Sequence, residues 1–94
     1  MAFQPGATAV TMSVSSAGQV IGIDNLIQCR VFNRGPDDCR IKYSSGGTSA
    51  QPWDMLMPAG LLEVHSKAST ALYIAAVCES GKTSVLEICT GQGD

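Results

Sequence analysis

Charge, aromatic residues and histidine are all scarce in this chain. Charged residues make up 15% of its 94 positions and aromatic residues 5%, and His65 is the one histidine. Six Lys and Arg against eight Asp and Glu leave a formal net charge of −2. The chain therefore lacks the basic excess that attracts nucleic acid or an anionic membrane. No apolar run approaches the roughly 20 residues that a membrane-spanning helix needs. Met1-Ala2-Phe3-Gln4-Pro5-Gly6 has neither a basic region nor an apolar core and does not read as a signal peptide. Synthesis and folding in the cytoplasm are the expectation. With one histidine and no Cys-x-x-Cys spacing, the usual zinc sets do not assemble, and neither a metal nor a cofactor is expected.

What is present is a moderate apolar fraction, 45%, cut into short runs by ten glycines and four prolines. A chain of this length forms one domain and buries only roughly 60–65% of its unfolded surface, so association with copies or partners would add stability. Residues 8–14 (TAVTMSV), 19–23, 26–33 (LIQCRVFN), 39–45, 53–57, 61–64, 71–78 (ALYIAAVC) and 83–89 (TSVLEIC) read as strands, separated by Gly, Pro, Ser, Asn and Asp. In 26–33, Ile27, Cys29 and Val31 alternate with Gln28 and Arg30; in 39–45, Cys39, Ile41 and Tyr43 alternate with Arg40, Lys42 and Ser44. About seven or eight short strands with close turns pack naturally as a small antiparallel β-sandwich or jelly-roll-like barrel, an all-β fold. The expected organisation is a flexible arm over residues 1–7, the sandwich over 8–90 and a short tail over 91–94. Turns near Gly35-Pro36 and Ser80-Gly81 are each expected to close a hairpin.

The stretch CESGKTSV (residues 78–85) ends a phosphate loop's signature in Gly81-Lys82-Thr83. A phosphate loop also needs Gly at position 76 and a following helix, whereas Ala76 stands there and residues 83–89 read as strand. The four cysteines, Cys29, Cys39, Cys78 and Cys89, do not fall opposite one another within either expected hairpin, so free thiols packed as small apolar residues are favoured. Bridges between hairpins or between chains stay open. Ser66 adjoins His65, but neighbouring strand residues point to opposite faces; Glu63 and His65 share a face that reads as a solvated edge. Asp37-Asp38 lies in a turn, where Asp is expected anyway. No convergent catalytic set emerges, and the chain does not read as an enzyme.

Arg30, Arg34, Arg40 and Lys42, four of the six basic residues, fall within the first expected hairpin. Alternation puts Arg30, Arg40 and Lys42 on its non-core face, either as a docking face for an acidic protein surface or as a solvated face neutralised by Asp37 and Asp38. Trp53, Met55 and Met57 read as core strand, with a Met and aromatic contact surface as the alternative.

Taken in order, several motifs resemble a family of small bacteriophage virion proteins. They are Asn33-Arg34-Gly35-Pro36-Asp37, Pro58-Ala59-Gly60 with Glu63-Val64, Ile74-Ala75-Ala76 with Ser80-Gly81, and Gly91-Gln92-Gly93. The likeness spans about residues 8–93; Cys29, Cys39, Arg40 and Lys42 depart from the family's pattern. It implies a structural, non-enzymatic protein, foremost a capsid decoration or cement protein. Such a protein binds the outer face of the major capsid protein's shell as a homo-oligomer, typically a trimer, with no nucleic acid or membrane partner. On this reading the arm, with Phe3, Gln4 and Pro5, reaches onto a neighbour, and Arg30, Arg34, Arg40 and Lys42 complete the docking set. A tail, neck or fibre-base component is the first alternative. A carbohydrate-binding module stacking sugar on Trp53 and Tyr73 is the second.

Overall fold

Polar and apolar residues alternate along most of the strands, and that period of two decides which face each buries. The computed structural model describes residues 4–52 and 54–92. It contains β1 (Gln4–Val14), β2 (Gln19–Gly22), β3 (Gln28–Pro36), β4 (Cys39–Ser44), β5 (Met55–Met57), β6 (Leu62–Ser66), β7 (Tyr73–Val77) and β8 (Ser84–Gln92). Sheet I has the order β1-β8-β3-β6 and sheet II the order β2-β7-β4-β5, with every pairing antiparallel. The fold is an all-β sandwich. Its core joins Met12 and Val14 of β1, Cys29 and Val31 of β3, and Leu86 and Ile88 of β8 to Cys39 and Ile41 of β4, Met57 of β5 and Ile74 and Ala76 of β7.

β1 pairs with β8, β2 with β7, β3 with β6 and β4 with β5. That is one long hairpin of four strand pairs folded over on itself. Its consequence corrects two expectations. β3 and β4 lie in different sheets, as do β7 and β8, so neither Gly35-Pro36 nor Ser80-Gly81 closes a hairpin; each turn is an arch between sheets. The same Gly, Pro and Asp chemistry serves both connections, because a tight turn needs unusual angles whichever sheet receives the chain. At the first arch the β3·β8 register shifts between Asn33 and Gly35, and Gly35 has φ of 82°. Glycine takes that angle without a Cβ clash, and the chain leaves sheet I there.

Buried polar side chains hold the two ends. Asn33, fully buried, donates from Nδ2 to the carbonyls of Met57 (2.8 Å) and Asp37 (3.1 Å). Its Oδ1 accepts from the Gly35 amide at 2.8 Å and from the Ser84 hydroxyl. Asp37 accepts the Thr83 amide at 3.0 Å and Asp38 the Ala59 amide at 2.8 Å, so the acidic pair ties neighbouring loops together. At the opposite end Lys67 donates from Nζ to the carbonyls of Asp24 (2.9 Å) and Ala71 (3.0 Å), and Thr90 donates its hydroxyl to Asp24 (2.8 Å).

β1 begins at Gln4, where an arm was expected over residues 1–7, and Gln4 and Pro5 face Gln92 and Gly91 before the register shifts ahead of Ala9. β1 is an edge of its sheet, where proline's missing N–H is tolerated. β8 likewise runs to Gln92, into the expected tail. Phe3 and Trp53 lie outside the described residues, and with them the parts of the arm and sugar-platform readings that rest on them.

Candidate functional site

The arches divide the expected basic face. Arg30 and Arg34 are exposed on the outer surface of sheet I, whereas Arg40 and Lys42 are half-buried on the outer surface of sheet II, across the thickness of the sandwich. Alternation had assigned their sides correctly relative to the core, but the two strands do not share a sheet. Asp37 and Asp38 are occupied with backbone amides instead of neutralising these cations. Arg34 pairs with Glu87 at 3.2 Å, an exposed contact of small energetic weight. Arg40 donates to the Asp54 carbonyl at 3.3 Å. Among the described residues, Arg30 has no carboxylate partner.

Arg30 is the cation set among apolar neighbours. Leu62 and Val64 point outward from β6, each 48% exposed, and lie opposite Phe32 and Arg30 in the β3·β6 ladder. On the other side of β3, Arg30 lies opposite Cys89 and Phe32 opposite Glu87. A shallow depression of about 240 Å³ lies here, lined by Ala9, Thr11, Arg30, Phe32, Glu87 and Cys89. It continues the Leu62 and Val64 strip into one face. On sheet II the exposed apolar residues are scattered: Leu56 faces Arg40 on β5, while Tyr73 lies at the far end of β7 beside Ser44. The reading of Met55 and Met57 as core strand divides, with Met57 fully buried and Met55 43% exposed.

Glu63 and His65 do share a face, the inner one of the edge strand β6, where His65 is largely covered while the Glu63 carboxylate stays partly in solvent. The Tyr43 hydroxyl of sheet II meets His65 Nδ1 at 2.7 Å, and His65 Nε2 meets a Glu63 carboxylate oxygen at 3.0 Å. The Tyr43 and His65 rings stand edge to face, centroids 5.7 Å apart. Burial, then the neighbouring Cys29, pushes the Tyr43 hydroxyl well above its usual range, and burial raises the Cys29 thiol. A thiol held protonated in the interior is a poor nucleophile, and Tyr43 in contact with His65 gives this cluster the character of a clasp between sheets. Sequence reading missed it, although an inward tyrosine in alternation with Cys39 and Ile41 signals a hydroxyl that needs a buried partner.

Among the described residues no three His, Cys, Asp or Glu side chains gather as a metal-ligand set, and no helix is long and apolar enough to cross a membrane. After Gly81-Lys82-Thr83 the chain enters β8, a strand where a phosphate loop requires a helix. The loop itself is a tight turn, with the Lys82 amide donating to the Glu79 carbonyl at 3.0 Å and Gly81 at φ 78°. No protein-family model, curated protein or solved structure matches this chain.

Proposed function

We propose that this chain is a structural protein of a bacteriophage virion, a capsid decoration protein that docks through the outer face of sheet I onto the outside of the major capsid protein's shell. The observation that carries the reading is the juxtaposition on that face of exposed Leu62 and Val64, the Phe32 ring and Arg30, which has no carboxylate partner among the described residues. An apolar strip around this arginine suits a partner surface that offers apolar side chains around a carboxylate. The pairing order of the strands supports the reading too. Read as a jelly roll, it would be a scaffold that viral shell and lectin domains share, although scaffold alone does not assign a role. Of the motifs that resemble phage virion proteins, Gly35-Pro36, Pro58-Ala59-Gly60 and Ser80-Gly81 lie in arches between the sheets.

In this role the protein adds contact area across boundaries between capsid subunits, and bound copies stabilise the shell by mass action. Self-association, as the trimer that the resemblance implies, would multiply the contacts each shell site receives. The reading is tested by adding purified protein to shells that lack it, then measuring bound copies and the temperature at which the shells open. Saturable binding that raises this temperature, abolished by Val64→Glu and retained by Lys42→Glu, is expected. Loss through Lys42→Glu with Val64→Glu unaffected would move docking to sheet II. Native particles holding the protein at the tail in a few copies would replace the capsid role with a tail, neck or fibre-base one.

A further inference from the structure

All four cysteines are free thiols in this structure, and three are buried. Pairing within hairpins left none of them in register, but the ladder partner of β4 is β7, not β3. Arg40 lies opposite Val77 and Ile41 opposite Ala76; the ladder ends there, and its register carried one residue past the end of β7 sets Cys39 opposite Cys78. Both side chains are on the inner face, 2% and 6% exposed.

The backbone fixes what kind of rung this is. The Cys78 amide donates to the Ser15 carbonyl at 3.1 Å, and the Leu72 carbonyl accepts from the Ile23 amide at 2.8 Å. Even-numbered residues along this strand thus turn their polar groups toward β2 and away from β4. The rung joining Cys39 and Cys78 is therefore of the non-hydrogen-bonded kind, with Cα atoms about 4.5 Å apart and side chains at their closest. That separation lies inside the roughly 4.4–6.8 Å a disulfide spans. Each sulfur is tied elsewhere only by long contacts: Cys39 Sγ accepts from Asn33 Nδ2 at 3.9 Å and donates to the Met57 carbonyl at 4.0 Å, and Cys78 Sγ donates to the Val14 carbonyl at 3.8 Å.

Cys78 also borders a groove of about 400 Å³ lined by Ser16, Arg40, Pro52, Val77 and Glu79. On the other side of Arg40, Cys39 borders a second groove with Leu56 and Lys82. Both sulfurs face inward all the same, so an oxidant reaches them only when this end of sheet II opens locally. The remaining cysteines do not compete, because Cys29 faces Thr90 on the inner surface while Cys89 points outward opposite Arg30.

We propose that Cys39 and Cys78 are a covalent cross-link site, a dithiol in a reducing cytoplasm that closes to an intrachain disulfide when the folded protein meets a disulfide oxidant such as oxidised glutathione. One cysteine, as thiolate, attacks a glutathione sulfur and displaces a glutathione thiolate, giving a mixed disulfide. The second cysteine then attacks the protein sulfur of that mixed disulfide and displaces the other glutathione. Two protein S–H bonds and one glutathione S–S bond are lost, and one protein S–S bond and two glutathione S–H bonds form. Two electrons pass from the protein to glutathione. Buried thiols react slowly, since burial and the neighbouring thiol hold Cys39 up at about 11, so closure is a slow maturation step rather than a rapid signal. The product ties the two central strands of sheet II and holds the arch that follows β7. This inference is independent of the proposed capsid role.

The test incubates native protein with oxidised glutathione, blocks remaining thiols with N-ethylmaleimide under denaturing conditions, and reads intact mass and a peptide map. A mass loss of about 2 Da before blocking is expected, with two alkylated cysteines, Cys29 and Cys89, and one bridge between the Cys39 and Cys78 peptides. The Cys29→Ala/Cys89→Ala double variant should close the same bridge, which keeps the test clear of a folding defect in Cys39→Ala or Cys78→Ala. Oxidised protein should unfold at a higher temperature than reduced protein. Four alkylatable thiols after prolonged exposure, a terminal glutathione adduct, or a bridge to Cys29 or Cys89 would each overturn the inference.

Discussion

Tyr43 of sheet II and His65 of sheet I meet hydroxyl to Nδ1 at 2.7 Å, a polar contact that crosses the interior between β4 and β6. Glu63 completes it by accepting from His65 Nε2 at 3.0 Å. With Glu63 as acceptor at Nε2, the neutral imidazole leaves Nδ1 free to accept the Tyr43 proton. Removing the hydroxyl strands a buried ring nitrogen. Tyr43→Phe is expected to lower stability by about 1–3 kcal/mol. Urea unfolding measures it; an unchanged midpoint would show that the clasp contributes nothing.

Asn33 serves five partners from one buried side chain: the Met57 and Asp37 carbonyls, the Gly35 amide, the Ser84 hydroxyl and, at 3.9 Å, the Cys39 sulfur. Asn33→Leu keeps the branching and the number of heavy atoms, in a somewhat larger side chain, but leaves these groups without their partner. A loss of about 3 kcal/mol or more is expected, enough to unfold a marginal domain. Asn33→Asp keeps the acceptor and should lose less, and calorimetry of the two variants ranks them.

Stability should fall on the alkaline side. Burial raises the thiols of Cys29, Cys39 and Cys78 above their ordinary 9.0, Cys39 to about 11. Between those values the unfolded chain releases thiol protons that the folded chain keeps, so ΔG of unfolding decreases as pH rises; below 9 this contribution is fully present. Each thiol wholly in this regime contributes a slope of about 1.4 kcal/mol per pH unit. Denaturation midpoints taken across that window should decline, and Cys39→Ala should flatten the decline.

Cys89 is the half-buried thiol, on the outer face of sheet I, while Cys29, Cys39 and Cys78 are buried. Brief maleimide treatment of native protein should modify Cys89 first. If sheet I is the docking face, Cys89 should be protected in protein bound to shells. Equal labelling of bound and free protein would place docking elsewhere.

Gly35 holds φ at 82° where the first arch leaves sheet I, and a Cβ added there would lie 3.6 Å from Ala59 Cβ, an ordinary contact. The cost of Gly35→Ala therefore comes from the backbone and not from a clash. About 1–2 kcal/mol of destabilisation is expected, read as a drop in melting temperature. Gly46, with no positive φ and open space where a Cβ would go, is the control and should tolerate alanine.

Much of this protein was determined by the sequence alone. Alternation in QCRVFNR and CRIKY set which side chains enter the core, and glycine, proline and aspartate marked the turns, because both signals are local properties of the backbone. Tertiary structure decided which strands became neighbours. A turn at Gly35-Pro36 has the same chemistry whether β4 folds back beside β3 or crosses to the other sheet; the crossing exists because β8 and β6 occupy the two sides of β3. That choice, made by contacts far apart in the chain, moved Arg40 and Lys42 to the face opposite Arg30 and gathered Leu62, Val64 and Phe32 around Arg30. It also set Cys39 beside Cys78. The residue types were legible in the chain, but their company is a long-range property that only packing supplies.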